Sequence, residues 1–200
     1  MRKIENWEEV YKDAKEVVEF DSIPVGPQIV KILKSIDVLD KEYLKLYVDI
    51  ADGDYKGFFK EQYDRNTNEK KEWPFQGTVY VSYKKTAEKF FAAFIKAVEK
   101  SNKDFKWDFE TDKLDNKYFV ANYGEEEYES TDYDEEGNWL IKSSIKIVER
   151  RSLISLKNKE IKILPKKLFK GKKSKPAQTS GKEGELPKGN INNVEDDLPF

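Results

Sequence analysis

Residues 43–50, YLKLYVDI, alternate without a break. Leu44, Leu46, Val48 and Ile50 fall on one side; Tyr43, Lys45, Tyr47 and Asp49 fall on the other. A period of two belongs to a β-strand with one face on a core and one toward solvent, and no helix accommodates it. The chain must therefore build a sheet with a covered face. Upstream, QIVKILKSIDVL is rich in β-branched residues and reads as the preceding strand, joined to it by a short turn near Asp40 and Lys41. TVYVSY at 78–83 reads as a third strand, KYFVANYGEEEYE as a fourth, and WLIKSSIKIVER as a fifth, with DYDEEGN turning between the last two.

Helical periods interrupt this pattern. Asn6 and Glu9 form a capping box ahead of Trp7, Val10, Tyr11, Ala14, Val17 and Val18, which predicts a helix at 7–18. Pro24, Gly26 and Pro27 end it. Ala87, Phe90, Phe91, Phe94, Ala97 and Val98 form an apolar stripe, and Thr86 is the expected cap of a helix at 87–100. YKGFFK at 55–60 reads as a short extended piece, EQYDRNTNEKKEWPFQG as a long polar loop, and SLISLKN as a short helix.

The resulting order is a leading helix, three strands, a helix and two strands. It predicts a mainly β fold: a five-stranded Greek-key barrel of the oligonucleotide-binding type with a helix between strands three and four. The expected divisions are an N-terminal helix and connection at 1–24, the barrel domain at 25–164, a disordered basic linker at 165–194 and an acidic tip at 195–200. The linker follows from composition: Lys166, Lys167, Lys170, Lys172, Lys173 and Lys175 come without an intervening acid, and polar residues, Gly and Pro follow.

Charge excludes as much as it suggests. The 200 residues hold 37 basic and 39 acidic side chains. Residues 165–200 carry about +3, which leaves about −5 on the body, so a nucleic-acid surface must be a local basic stripe. With no Cys, disulfides, thiolate zinc sites and Cys nucleophiles are impossible; with no His, a Ser-His triad is too. No Walker-type loop occurs. No apolar run is long enough to span a bilayer, and MRKIENWEEV lacks the pattern of a secretory signal, so a cytoplasmic protein is expected. No enzymatic activity, cofactor or metal is expected.

Aromatic residues make up 14% of the chain, many interleaved with cations. Tyr43, Lys45 and Tyr47 share one strand face. Tyr55, Lys56, Phe58, Phe59, Lys60, Tyr63 and Arg65 crowd the next stretch. Lys70, Lys71, Trp73 and Phe75 follow, then Tyr80 opposite Val79 and Val81; Lys142 and Lys146 share a side of the last strand. Unpaired bases stack on flat rings while Lys and Arg neutralise phosphates, so this mixture suits single-stranded nucleic acid; some of these rings can equally fill the core. The expected stacking residues are Tyr43, Tyr47, Tyr55, Phe58, Trp73 and Tyr80. The expected phosphate contacts are Lys45, Lys56, Lys60, Arg65, Lys142 and Lys146. Little sequence preference is expected.

Two acidic groups, Asp49 with Asp52 and Asp54, and Glu125 with Glu126 and Glu127, resemble the raw material of a magnesium site but read better as solvated turns and edge protection. DYDEEGN opens like a calcium loop, with Asp132, Asp134, Glu136 and Gly137. Its twelfth position is Ser143 instead of a bidentate Glu, so a hairpin turn is expected.

The last residues, Glu195, Asp196, Asp197, Leu198, Pro199 and Phe200, resemble the acidic tip of the bacterial single-stranded DNA-binding proteins, which closes on DDLPF after a linker and an oligonucleotide-binding barrel. The resemblance implies single-stranded DNA binding in replication or recombination. It also implies recruitment of a polymerase, helicase, primase or recombinase through residues 195–200. The body departs from that family: its N-terminal strand and motifs are missing, a helix comes first, and the 61–77 segment is long. YLKLYVDIADGDYKGFF and YFVANYGEEEYE are instead similar to replication-module proteins of phages of Gram-positive bacteria, which implies a phage or prophage origin and a host-cytoplasmic role. Two other readings remain: an adaptor that recruits replication factors without touching DNA, and a metal-dependent nuclease or recombinase subunit. Homo-oligomerisation is open.

Overall fold

The computed structural model describes residues 5, 7, 8, 11 and 22–171. Trp7, Glu8 and Tyr11 are helical; the rest of the expected 7–18 helix, and everything from residue 172 to the tip, lies outside the described residues.

Five strands form one antiparallel open sheet in the order β3-β2-β1-β4-β5: β1 (Gly26–Val38), β2 (Tyr43–Ile50), β3 (Thr78–Ser82), β4 (Tyr118–Tyr133) and β5 (Trp139–Arg151). The fourth strand returns beside the first, which is the Greek-key arrangement. β1 is long enough to serve two partners. Residues from Val30 to Val38 pair with β2, and Gly26 to Lys31 pair with β4. A bulge at Leu33, between Ile32 and Lys34, shifts the β1–β2 register, and such an extra residue bends a strand.

The alternation of β2 and β3 sets the inner face. Val30, Ile32, Leu44, Leu46, Val48, Val79 and Val81 are buried there. Helix α2 (Glu88–Ser101) covers it and contacts β3, β4 and β5; its Phe94 meets Phe119 edge-on at 5.5 Å. Two expectations for this helix need correction. Its N-cap is Ala87, not Thr86, because a preceding turn closes from the Ala87 N–H to the Lys84 carbonyl and buries Ala87. Phe90 is exposed, while burial runs through Phe94, Ile95, Ala97 and Val98, where the helix crosses the sheet.

The sheet's outer strands, β3 and β5, share no backbone ladder. Side-chain hydrogen bonds join β5 to β3 and to the turn just before it. Gln76 Nε2 donates to the Ile145 carbonyl at 3.1 Å, and Arg150 Nη2 donates to the Tyr80 carbonyl at 3.2 Å.

The expected extended piece at 55–60 is a helix start instead: α1 spans Phe58–Arg65. Buried Asp49 explains it. Although Asp49 belongs to the outward set of β2, its Oδ1 accepts the Phe59 N–H at 2.9 Å and so satisfies an orphan donor of the first turn. Gly57 supplies the left-handed backbone (φ 81°) that admits the chain to the helix. Lys60–Asp64 and Glu61–Arg65 then pair at i,i+4 spacing on the exposed side. The short helix expected after β5 is α2's neighbour α3 (Leu153–Lys157), capped by Ser152 Oγ, which accepts the Ser155 N–H.

Beyond Tyr123, β4 has left β1 behind and runs with β5 as a two-stranded arm. The basic segment after Pro165 begins docked on this arm. Lys167 exchanges backbone hydrogen bonds with Glu125 and Glu127 at 2.9 Å, and the Phe169 N–H donates to the Glu127 carboxylate at 3.1 Å.

Candidate nucleic-acid interface

The outward half of the β2 alternation meets its neighbours in register. Tyr47 faces Lys34 of β1 and Thr78 of β3; Lys45 faces Ile36 and Tyr80. Residues paired across a sheet share a face, so rings and cations collect on one surface opposite the core. Lys45 Nζ lies 5.4 Å from the centre of the Tyr47 ring and 6.0 Å from that of Tyr80. Tyr43 meets Tyr80 edge-on at 5.4 Å.

The segment after α1 folds back over this face. Trp73 is pinned by its indole N–H, which donates to the Val48 carbonyl at 3.1 Å. Its ring centre lies 6.1 Å from Tyr47 and 5.3 Å from Tyr63 of α1, and Lys71 Nζ stands 4.5 Å from the Tyr63 ring. Gly77 makes this close approach possible: a Cβ there falls 2.7 Å from the Trp73 indole nitrogen and 2.8 Å from the Phe59 ring. Two adjoining depressions result. The larger, about 400 Å³, runs from Lys34 and Leu33 to Trp73; the smaller, about 200 Å³, continues to Tyr80 and the exposed Phe75. Lys45, Tyr47, Glu72 and Trp73 line both, so they form one groove.

Electrostatically the groove is open. Among the described residues, no ion pair joins Lys34, Lys45 or Lys71 to a carboxylate. Partial burial works against the Lys45 charge, but the facing Tyr80 and Tyr47 oxygens and Glu72 outweigh it and hold the amine above its ordinary value. The cation is therefore fully charged near neutral pH.

Tyr43, Lys45, Tyr47, Trp73 and Tyr80 are thus assembled, and the other expected contacts lie elsewhere. Tyr55 and Phe58 pack against the core, 5.9 Å apart. Lys56 is exposed in the turn before α1. Lys60 and Arg65 pair along α1, Lys142 pairs with Asp132, and Lys146 pairs with Glu126. Lys34, Tyr63, Lys71, Glu72 and Phe75 join the groove without having been among the expected contacts. Tyr63, Lys71 and Phe75 carried the same ring-and-cation signal; Lys34 and Glu72 carried none.

The acidic groups are also placed. Asp49 turns inward, and burial raises its carboxyl above the ordinary value against the lowering effect of the Phe59, Ile50 and Lys60 N–H groups. Asp52 and Asp54 are exposed on the following turn. Glu125 and Glu127 pair with Lys166, and Glu126 pairs with Lys146 and Lys167. Among the described residues, no three acids group to hold a metal ion. The 134–138 segment is a hairpin turn, closed by the Asp134 N–H on the Asn138 carbonyl at 2.8 Å. No helix among the described residues is long and apolar enough to cross a membrane.

The class defined by fold and surface is a mainly β chain whose open antiparallel sheet carries an aromatic, cationic groove opposite its core. Comparison with known proteins matches it to no family model and to no curated protein.

Proposed function

We propose that this protein is a non-enzymatic single-stranded DNA-binding protein and that the groove over β1, β2 and β3 is its DNA site. The observation that carries the reading is the set of cations Lys34, Lys45 and Lys71, which join no carboxylate in an ion pair among the described residues and are interleaved with Tyr43, Tyr47, Trp73 and Tyr80 on one surface. Bases stack on the rings, at about 1–3 kcal/mol each, while the ammonium groups meet phosphates. The groove reads no sequence motif. The Greek-key order, with β3 and β5 linked through Arg150 and Gln76, supports a partly open barrel of the oligonucleotide-binding type, whose second and third strands form its usual binding face. Residues 195–200, acidic and ending in Leu-Pro-Phe, recruit replication or recombination proteins, as in the proteins this stretch resembles. The setting is DNA replication or recombination in a cytoplasm, that of a bacterial host if the gene is phage-borne.

The test is anisotropy of a labelled oligo-dT titrated with the full chain across salt. Binding is expected to weaken with a slope of about −0.7 per neutralised phosphate. A chain that leaves the oligonucleotide free at about 50 mM salt is not a DNA-binding protein, and the adaptor reading then replaces this one. Magnesium-dependent cleavage of the strand, abolished by Asp52→Ala, establishes the nuclease reading instead.

A further inference from the structure

Among the described residues, Glu72 is the one acid lining the groove, and it lines both halves, beside Tyr47, Trp73 and Lys45. A carboxylate in an anion-binding groove repels every phosphate that enters. No ion pair occupies it among the described residues, although Lys45 feels its charge. Its position next to the two rings offers a compensating role. A base stacked on Trp73 or Tyr47 presents its hydrogen-bonding edge sideways, toward the neighbouring side chain.

We infer that Glu72 is a base-selecting residue: it accepts a hydrogen bond from an exocyclic amino group, so the groove favours cytosine over uracil and thymine. An ionised carboxylate only accepts hydrogen bonds. Cytosine offers it the N4 amino donor, whereas uracil and thymine place the O4 acceptor at the same point. The amino base therefore gains a charge-assisted bond, and the keto base brings two acceptors together. This rests on the groove being the single-strand site. It adds a preference among base types, with no order of bases specified.

The experiment compares labelled oligo-dC and oligo-dU of about a dozen nucleotides, within the usual span of one barrel. The two strands share one backbone and stack comparably, so the amino-for-keto exchange dominates their difference. Anisotropy near neutral pH is expected to show oligo-dC binding about three- to tenfold tighter. Glu72→Gln, an exposed substitution whose melting curve is expected to match the parent's, binds both strands more tightly and brings their ratio close to one. Equal affinities in the parent chain overturn the inference, and so does a ratio that survives Glu72→Gln. If neither strand binds the parent chain, the groove is not a nucleic-acid site, and that reading falls along with the selectivity.

Discussion

The groove and the β4–β5 arm are made of the same two ingredients, rings and lysines, and differ in what the lysines face. On the arm, Lys142 meets Asp132, Lys146 and Lys167 meet Glu126, and Lys166 bridges Glu125 and Glu127 at 2.9 and 3.0 Å. In the groove, Lys45 meets Tyr47 and Tyr80, Lys71 meets Tyr63, and Lys34 sits opposite Tyr47. The lysines of the arm, and those of the basic segment docked on it, are paired with the arm's own acids, whereas those of the groove join no carboxylate among the described residues. Counting Lys and Tyr along the sequence does not separate the two regions, because the acids that neutralise the arm come from across a strand pair or from a distant segment.

The largest effect is expected from the groove's central ring. Trp73→Ala removes a stacking platform and should weaken oligonucleotide binding by about 1–3 kcal/mol, roughly fivefold to more than a hundredfold. Tyr133→Ala, an exposed ring on the arm paired with Trp139 at 6.0 Å, should leave affinity unchanged. Equal losses at both positions would erase the distinction between the regions. Next comes the support under the groove. Asp49→Ala strips the Phe59 N–H of its acceptor and should cost about 1–3 kcal/mol in urea unfolding, loosening α1 and with it Tyr63. Asp49→Asn keeps an acceptor oxygen and should fold near normally. Because burial raises the Asp49 carboxyl, its ionised form burdens the folded state, and the parent chain should gain stability relative to Asp49→Asn as pH falls and the carboxyl takes up its proton.

Smaller still, Lys45→Ala should reduce the salt slope of binding by about 0.7, while Lys142→Ala should not change it. The smallest effect belongs to the arm. Glu125 is held below its ordinary value first by Lys166, Glu126 by Lys146 and then Lys167, and Glu127 by the Phe169 N–H and then Lys166. A lowered carboxyl stabilises the folded form above its unfolded value and loses that contribution as pH falls through the folded one. Acidification below the ordinary carboxylate range should therefore release the 166–169 segment, seen as a loss of protection of the Glu127 and Lys167 amides relative to their intrinsic exchange rate at that pH. DNA affinity should persist there, since Lys45 remains charged. Simultaneous loss of both would tie the two regions together.

The strands were legible because their period is local. Leu44 to Ile50 and Val79 to Val81 announce which face is buried, and so place Tyr43, Lys45, Tyr47 and Tyr80 together on the other. α1 was not legible. Phe58 and Phe59 read as strand residues, and the helix depends on an acceptor ten positions earlier, on Asp49. Lys34 was hidden by the bulge. Strict alternation from Val30 and Ile32 sends Lys34 into the core, and the extra residue at Leu33 turns it out to face Tyr47. The docked segment after Pro165 looked like solvated linker because its lysines find their acids some 40 residues upstream, at Glu125–Glu127.

The side-chain bridges from Gln76 and Arg150 carry a mechanical consequence. A backbone ladder would hold these two outer edges through many bonds; here, among the described residues, side-chain hydrogen bonds at 3.1 and 3.2 Å join them. Each is a single side-chain-to-backbone bond, so this seam, beside the tyrosine-bearing face, can part without breaking any backbone pairing of the sheet.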